Sequence, residues 1–277
     1  MTSGESLFLT AALWSSVCAA VLFLLRLAVK NDILRAAAEG FTALFLLTMS
    51  ISLAARWAVS GHAPMANRYE SLASFAWSLG FVYWYVRLRY KEARAGYFLM
   101  PLTVLVMLMV ATCSPDNLHG LFAGRIFTLI APYPIGPVTP ALDTWMFETH
   151  VASAFVGYAF FGASFSGAVL YLVAPGEAER NLERLIFRTA YYGFALFTIS
   201  MVIGGIWAYL AWGTYWLWKI KEMWSFLIWM YYAGFLHAFY VREFRGRKVA
   251  WLSIIGFIVT MFTNLGVGIL MKNTHQL

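Results

Sequence analysis

Apolar residues run along this chain in blocks of about twenty, the length a helix needs to cross a hydrocarbon core, with short polar or charged intervals between them. The blocks predict membrane-spanning helices over 6–28, 35–58, 69–88, 96–113, 149–174, 187–209, 224–241 and 251–271. The last two are joined by a short, strongly basic turn. No repeat of 20–50 residues and no low-complexity stretch interrupts the series, so 1–277 reads as a single domain. The expected fold class is all-α, a polytopic membrane protein of about eight transmembrane helices.

Composition agrees with the pattern. Hydrophobic residues make up 61% of the chain and charged residues 12%, with a mean hydropathy of +0.69. A water-facing domain carries roughly a quarter of its residues charged, so a soluble protein with an oversized core is excluded. The net charge of +7 reflects topology before it suggests nucleic acid, which nothing else in the chain points to. Cys18 and Cys113 form no CxxC pair, and thiol redox chemistry, zinc binding and a disulfide framework are poorly supported.

The distribution of charge orients the helices. Intervals after the odd-numbered spans hold Arg26, Lys30, Arg35, Arg87, Arg89, Lys91, Arg94, Arg180, Arg184, Arg188, Arg242, Arg245, Arg247 and Lys248, fourteen of the twenty lysines and arginines. Arg56, Arg68, Arg125, Lys219, Lys221 and Lys272 are on the other side. Positive-inside bias places the fourteen in the cytoplasm and both termini on the outer face. The first span follows Glu5 and precedes Arg26 and Lys30, the reverse of a signal peptide's charge order, and is expected to be retained. The expected location is the bacterial inner membrane, with a periplasmic functional face. The inner intervals are short and contain no P-loop, so no ATPase is expected from the chain alone.

The outer intervals are the unusual ones. They hold His62 within Ser60-Gly61-His62-Ala63-Pro64, a long connection over 114–147 with prolines at 115, 132, 134, 137 and 140, and the segment 207–224. In that last segment and just beyond it, Trp207, Trp212, Trp216, Trp218, Trp224 and Trp229 place six of the chain's twelve tryptophans within 23 residues, together with Tyr209 and Tyr215. An interfacial aromatic belt spreads over many helix ends. A concentration of this kind suits a large planar apolar ligand, each ring contact contributing about 0.5–1.5 kcal/mol beyond burial. Lys219, Lys221 and Arg125 are available to pair with carboxylates of such a ligand.

There are five histidines: His62, His119, His150, His237 and His275. His150 opens the fifth span and His275 follows the eighth, so the two share the outer membrane level and flank the tryptophan segment in sequence. Two neutral imidazoles at one level can clamp a haem iron axially, although either alone is an ordinary interfacial histidine. His237 lies about thirteen residues into the seventh span, roughly 20 Å from its outer end. An ionisable side chain at that depth marks function or an interhelical hydrogen bond. No other histidine reaches that depth, so a haem held by His237 needs Met, water or another polypeptide as its second ligand. His62, in a Gly/Pro turn, and His119, in a long loop, are read as structural.

The segment Trp207-Ala208, Ala211-Trp212-Gly213, Tyr215-Trp216, Trp218, Lys221-Glu222 and Trp224 resembles the WWD signature of the cytochrome c assembly family of haem-handling proteins. Supporting stretches are Ser60-Gly61-His62, Asn67-Arg68-Tyr69-Glu70-Ser71-Leu72, His150-Val151 with Gly157-Tyr158-Ala159, Phe235-Leu236-His237 and Phe262-Thr263-Asn264. Within the family the chain is most similar to the CcsA (ResC) branch of the System II cytochrome c synthases, from about residue 56 onward. The resemblance implies haem b held on the tryptophan segment (Trp207, Trp212, Tyr215, Trp216, Trp218, Trp224) with His150 and His275 as its outer iron ligands. It implies His237 as a membrane-level ligand whose partner comes from a CcsB (ResB)-like membrane subunit. It further implies that haem is presented at the outer face for thioether attachment to CxxCH apocytochrome c. One departure stands out: the family reads Trp-Asp-Pro-Lys-Glu where Trp218 is followed by Lys219-Ile220-Lys221-Glu222, which exchanges an acid for a base and loses a fixed turn. Two other roles are open: a b-type haem electron-transfer subunit of a quinol-linked complex, which uses the same histidines, and a membrane regulator or chaperone of haem enzymes whose fold persists without bound haem.

Overall fold

The computed structural model describes residues 3–29, 31–114, 117, 130–173, 179–241 and 244–266. Among the described residues there are no strands and eight long helices: α1 (Ser3–Ala28), α2 (Asp32–Ser60), α3 (Arg68–Tyr90), α4 (Gly96–Thr112), α5 (Trp145–Val173), α6 (Glu179–Trp212), α7 (Ile220–Tyr240) and α8 (Arg247–Met261). A 3₁₀ turn, Ala93–Ala95, leads into α4, and a π turn, Phe262–Gly266, follows α8. By length and composition α1, α2, α4 with its leading turn, α5 and α6 can each cross a membrane. The protein is an all-helical polytopic membrane protein, and each of the eight apolar blocks is occupied by a helix.

The helices overrun the blocks that predict them. α6 starts at Glu179 rather than 187, which puts Arg180, Arg184 and Arg188 on the helix, and it continues to Trp212. α5 starts at Trp145 and α7 at Ile220, each four residues early. Hydropathy marks where apolar side chains lie, whereas a helix continues through Glu, Arg and Leu until its backbone is capped. The caps are visible in sequence. The Asn31 side chain accepts from Ile33 N–H at 2.7 Å, and Asn67 accepts from Glu70 N–H at 2.9 Å. Gly61 ends α2 at φ +80°, returning its N–H to Trp57 O, the left-handed position that glycine fills without strain.

The chain divides into two compact units, 1–155 and 156–277, with the boundary inside α5. In the first, α1 lies along α2, and α4 packs on α1 and α3. Phe23 sits edge-on to Tyr83 and Tyr97, with ring centroids at 5.6 and 5.9 Å, and occupies the space a side chain at Gly96 would need.

The same unit buries an ion cluster. Arg56 is 1% exposed and donates from Nε to Glu70 Oε1 at 2.8 Å and from Nη1 to Glu5 Oε1 at 3.1 Å. Its guanidinium lies 4.7 Å over the Tyr69 ring, and Tyr69 donates to Glu5 Oε1 at 3.3 Å. Nη1 also reaches Tyr133 O at 2.9 Å. One arginine thus ties α1, α2, α3 and the extended chain after Ile130 together. A desolvated guanidinium needs such partners, because each buried ion costs several kcal/mol before it is paired.

In the second unit α6 packs against the later turns of α5 through two glycines. A Cβ on Gly193 would meet the Phe161 ring at 2.6 Å and Gly157 O at 2.9 Å, so the backbones approach as small residues permit between membrane helices. Phe161 stacks on Tyr232 of α7 at 3.5 Å, Ser164 donates to Ile186 O at 2.9 Å and bonds Ser253 of α8 at 2.8 Å, and Trp229 donates to Thr198 at 2.9 Å. α6 and α7 are thereby fixed side by side, leaving only residues 213–219 to connect them.

Candidate haem site

The tryptophan segment is half helix and half a short, pinned loop. Trp207 to Trp212 form the last turns of α6. Gly213 leaves the helix at φ +74° and donates to Tyr209 O at 2.8 Å. Thr214 Oγ1 then donates to Trp216 O at 3.1 Å, and Leu217 N–H donates to the Glu222 carboxylate at 2.7 Å. Glu222 lies in the first turn of α7, where a carboxylate is favoured by the helix dipole, so it ties the loop back to the start of the helix. Lys219 is the residue before α7 and makes no side-chain cap. Its Nζ lies 5.2 Å over the Trp212 ring, a cation–π contact. The base that replaces the family's acid therefore adds a contact to the aromatic cluster and gives up a helix cap.

The rings are organised and open. Tyr209 and Tyr215 stack at 4.5 Å, while Trp207 and Trp212 meet edge to face at 4.7 Å. Trp216 sits edge-on to Trp218 and Phe226, each at 6.4 Å. Trp224 instead turns onto Phe262 at 5.0 Å. Trp218 is 74% exposed, and Trp212 and Tyr215 are exposed beside it. Trp218 also holds φ +57°, a left-handed backbone that a bulky residue rarely adopts and that is enriched at ligand sites. Exposed aromatic area of this extent is normally covered by a ligand, lipid or partner.

His237 lies in the last turn of α7, three residues before its end. Because α7 starts at Ile220, His237 is about 25 Å from the helix start rather than the 20 Å expected from hydropathy. Its side chain is exposed, and Nδ1 donates to Ala233 O at 2.7 Å. In a neutral imidazole this leaves Nε2 as the lone-pair nitrogen, pointing away from the backbone, the tautomer a haem ligand requires. One turn earlier, Gly234 has nothing within 4 Å of where a Cβ would stand, so the helix face beside His237 is clear.

His150 is half-buried in the second turn of α5. His275, His119 and Arg125 lie outside the described residues. His62 is 8% exposed; its Nδ1 donates to Ala63 O at 2.9 Å, and Ser60 Oγ donates to His62 O at 2.9 Å. What sequence reasoning missed is the cluster of Arg56, Glu5 and Glu70. An arginine inside an apolar run demands buried partners, and Arg56 in Leu53-Ala54-Ala55-Arg56-Trp57 is the available signal.

Residues 65–275 match the cytochrome c assembly protein family. A cytochrome c biogenesis protein CcsA of Guillardia theta is 28% identical over 266 residues, covering 86% of this chain and 84% of its own length. Another, of Chlamydomonas reinhardtii, is 30% identical over 243 residues, covering 83% of this chain and 65% of its own. Among solved structures, the cytochrome c heme lyase CcmF superposes with a TM-score of 0.72 at 18% identity, a likeness of fold. That match takes in 95% of this chain and 46% of the CcmF chain, so this protein spans about half of its length. With the family match extending over most of the chain, from α3 past the aromatic loop and His237, this protein belongs to the cytochrome c assembly protein family.

Proposed function

We propose that this chain is the haem-presenting subunit of a cytochrome c synthase, holding haem b at the outer face of a bacterial inner membrane for thioether attachment to CxxCH apocytochrome c. The observation that carries the reading is the exposed aromatic segment 207–224, pinned by Gly213, Thr214 and Glu222 at the ends of two packed helices in a member of this family. Preformed rings bind a planar ligand without first losing side-chain entropy. Trp212, Tyr215, Trp216 and Trp218 supply the apolar surface, Lys219 and Lys221 supply charge for carboxylates, and His150 and His275 supply the outer iron ligands. Trp207 braces Trp212, and Trp224 anchors α7. Bound haem contributes the vinyl groups to which the thiols add; the protein contributes position and environment. His237 belongs to a second position, where a CcsB (ResB)-like subunit brings the opposing ligand. The asymmetry of lysine and arginine supports both termini and the aromatic segment being periplasmic.

The test is genetic and spectroscopic. Deleting the gene should abolish c-type cytochromes, and the purified protein should carry haem that a His150→Ala, His275→Ala double variant loses. Normal cytochrome maturation in the deletion strain would reject the synthase reading in favour of electron transfer. Unchanged haem content in the double variant would reject the ligand assignment.

A further inference from the structure

A half-open groove of about 480 Å³ lies in the N-terminal unit, away from the aromatic segment in sequence. One wall carries His62, Asn67 and Glu70, and the other carries Ile135, Gly136 and Val138 of the extended run after Ile130. Prolines at 132, 134, 137 and 140 keep that run out of a helix. Its start is pinned by side chains rather than by a neighbouring strand. Ser6 donates to Ile130 O at 2.7 Å, and Ile130 N–H donates to Thr10 at 2.9 Å. Asn117 exchanges two hydrogen bonds with Ala131, at 2.8 and 2.7 Å, and Arg56 donates to Tyr133 O. Beyond that point the N–H groups of Ile135, Gly136, Val138 and Thr139 make no hydrogen bond to the described residues. The protein thus holds a non-helical backbone with these four N–H groups unpaired among the described residues, while Thr139 O accepts from Leu142 N–H at 2.9 Å; free N–H groups of this kind are what an added peptide strand pairs with.

The facing wall supplies an acceptor. Nδ1 of the buried His62 is committed to Ala63 O, which in the neutral ring leaves Nε2 unprotonated. Charge on this wall is already spent, since Glu70 accepts from Arg56 and from Ala66 N–H at 2.9 Å. The groove therefore offers backbone N–H groups, apolar Ile135 and Val138, and the His62 ring, beside a Glu70 carboxylate that is already paired. It lies near the start of α5, the helix that carries the candidate haem ligand His150: Ala63 N–H donates to Glu148 at 2.8 Å.

We propose that this groove binds an extended stretch of the apocytochrome chain, paired with the backbone of residues 135–139 and hydrogen-bonded to His62, so that the attached CxxCH segment is delivered beside His150. The proposal rests on the synthase function above. An apocytochrome whose thiols are still free must be reached before it folds around haem, and an unfolded chain pairs readily with a preformed edge.

The test uses cells carrying the complete synthase and a tagged CxxCH apocytochrome. The photo-crosslinking residue p-benzoylphenylalanine replaces Val138 or, as a control, Val59, which is exposed at the end of α2. An adduct with the tagged apocytochrome is expected at position 138 and not at 59. Gly136→Trp should fill the groove, because nothing lies within 4 Å of a Cβ there. It should erase the adduct and lower c-type cytochrome yield several-fold, with the haem absorbance of the purified protein unchanged. No adduct at 138, an equal adduct at 59, or an adduct that survives Gly136→Trp overturns the proposal. If Gly136→Trp also loses haem, the comparison of positions 138 and 59 decides alone. Failure of the underlying function is separately visible as normal cytochrome maturation in the deletion strain.

Discussion

Arg56 and Trp218 are each costly to the folded chain, for opposite reasons. Arg56 is completely desolvated between Glu5 and Glu70, with Nη2 left without a hydrogen bond among the described residues. Removing the guanidinium strands two buried carboxylates, so Arg56→Ala should destabilise by about 3–5 kcal/mol, read as a lower unfolding temperature in detergent and less protein in the membrane. Trp218 bears its cost in the backbone, since a left-handed conformation costs a non-glycine residue roughly 1–2 kcal/mol. Its ring is mostly exposed, so little burial offsets that strain. Trp218→Gly should leave the unfolding temperature undiminished while lowering haem content on purification. A joint fall in both would assign Trp218 to the fold instead. Both residues stand in the sequence, but only Trp218 is conspicuous there, because tryptophan clustering is a local signal. Arg56 resembles an ordinary outer-side cation until Glu5, fifty-one positions away, is brought against it.

Helix identity is legible from apolar block length, and the asparagine caps at Asn31 and Asn67 follow from local chemistry. Helix ends are less legible, because α5, α6 and α7 run on through interfacial residues with good helix propensity. The consequence is functional: Trp207 and Trp212 are on a rigid helix, not in a loop. The crossing of α5 and α6 is not legible, since nothing in the spacing of Gly157 and Gly193 pairs them. With Phe161 and the Gly157 carbonyl filling the space at Gly193, Gly193→Ala must push the helices apart. It should cost about 1–3 kcal/mol, the usual effect of overpacking, measurable as a lower unfolding temperature. Gly234→Ala, on the open face of α7, is the matched control and should not lower the unfolding temperature, since alanine favours a helix interior over glycine.

At the scale of the whole molecule, the position of His237 is the informative feature. Its Nδ1 is satisfied within α7 and its side chain is exposed, as the proposed second haem position, with an opposing ligand from a partner subunit, requires. Coexpression with a CcsB-like subunit should raise haem per chain, and His237→Ala should remove that increment while the His150-dependent haem remains. An increment that persists in His237→Ala would assign the second haem to other residues.

Apolar block length and hydropathy by themselves determined an all-helical membrane protein, with a helix on each of the eight blocks among the described residues, because crossing a bilayer imposes a length and a composition that any sequence must show. The aromatic and histidine content, read against a family signature, likewise singled out the residues proposed to hold haem. Tertiary structure alone decided three things: which charges are buried together around Arg56, how closely α5 and α6 cross at Gly157 and Gly193, and that the chain after Ile130 lies beside His62. Each depends on residues tens of positions apart. None is encoded in a local pattern, since separation along the chain says little about distance once helices pack.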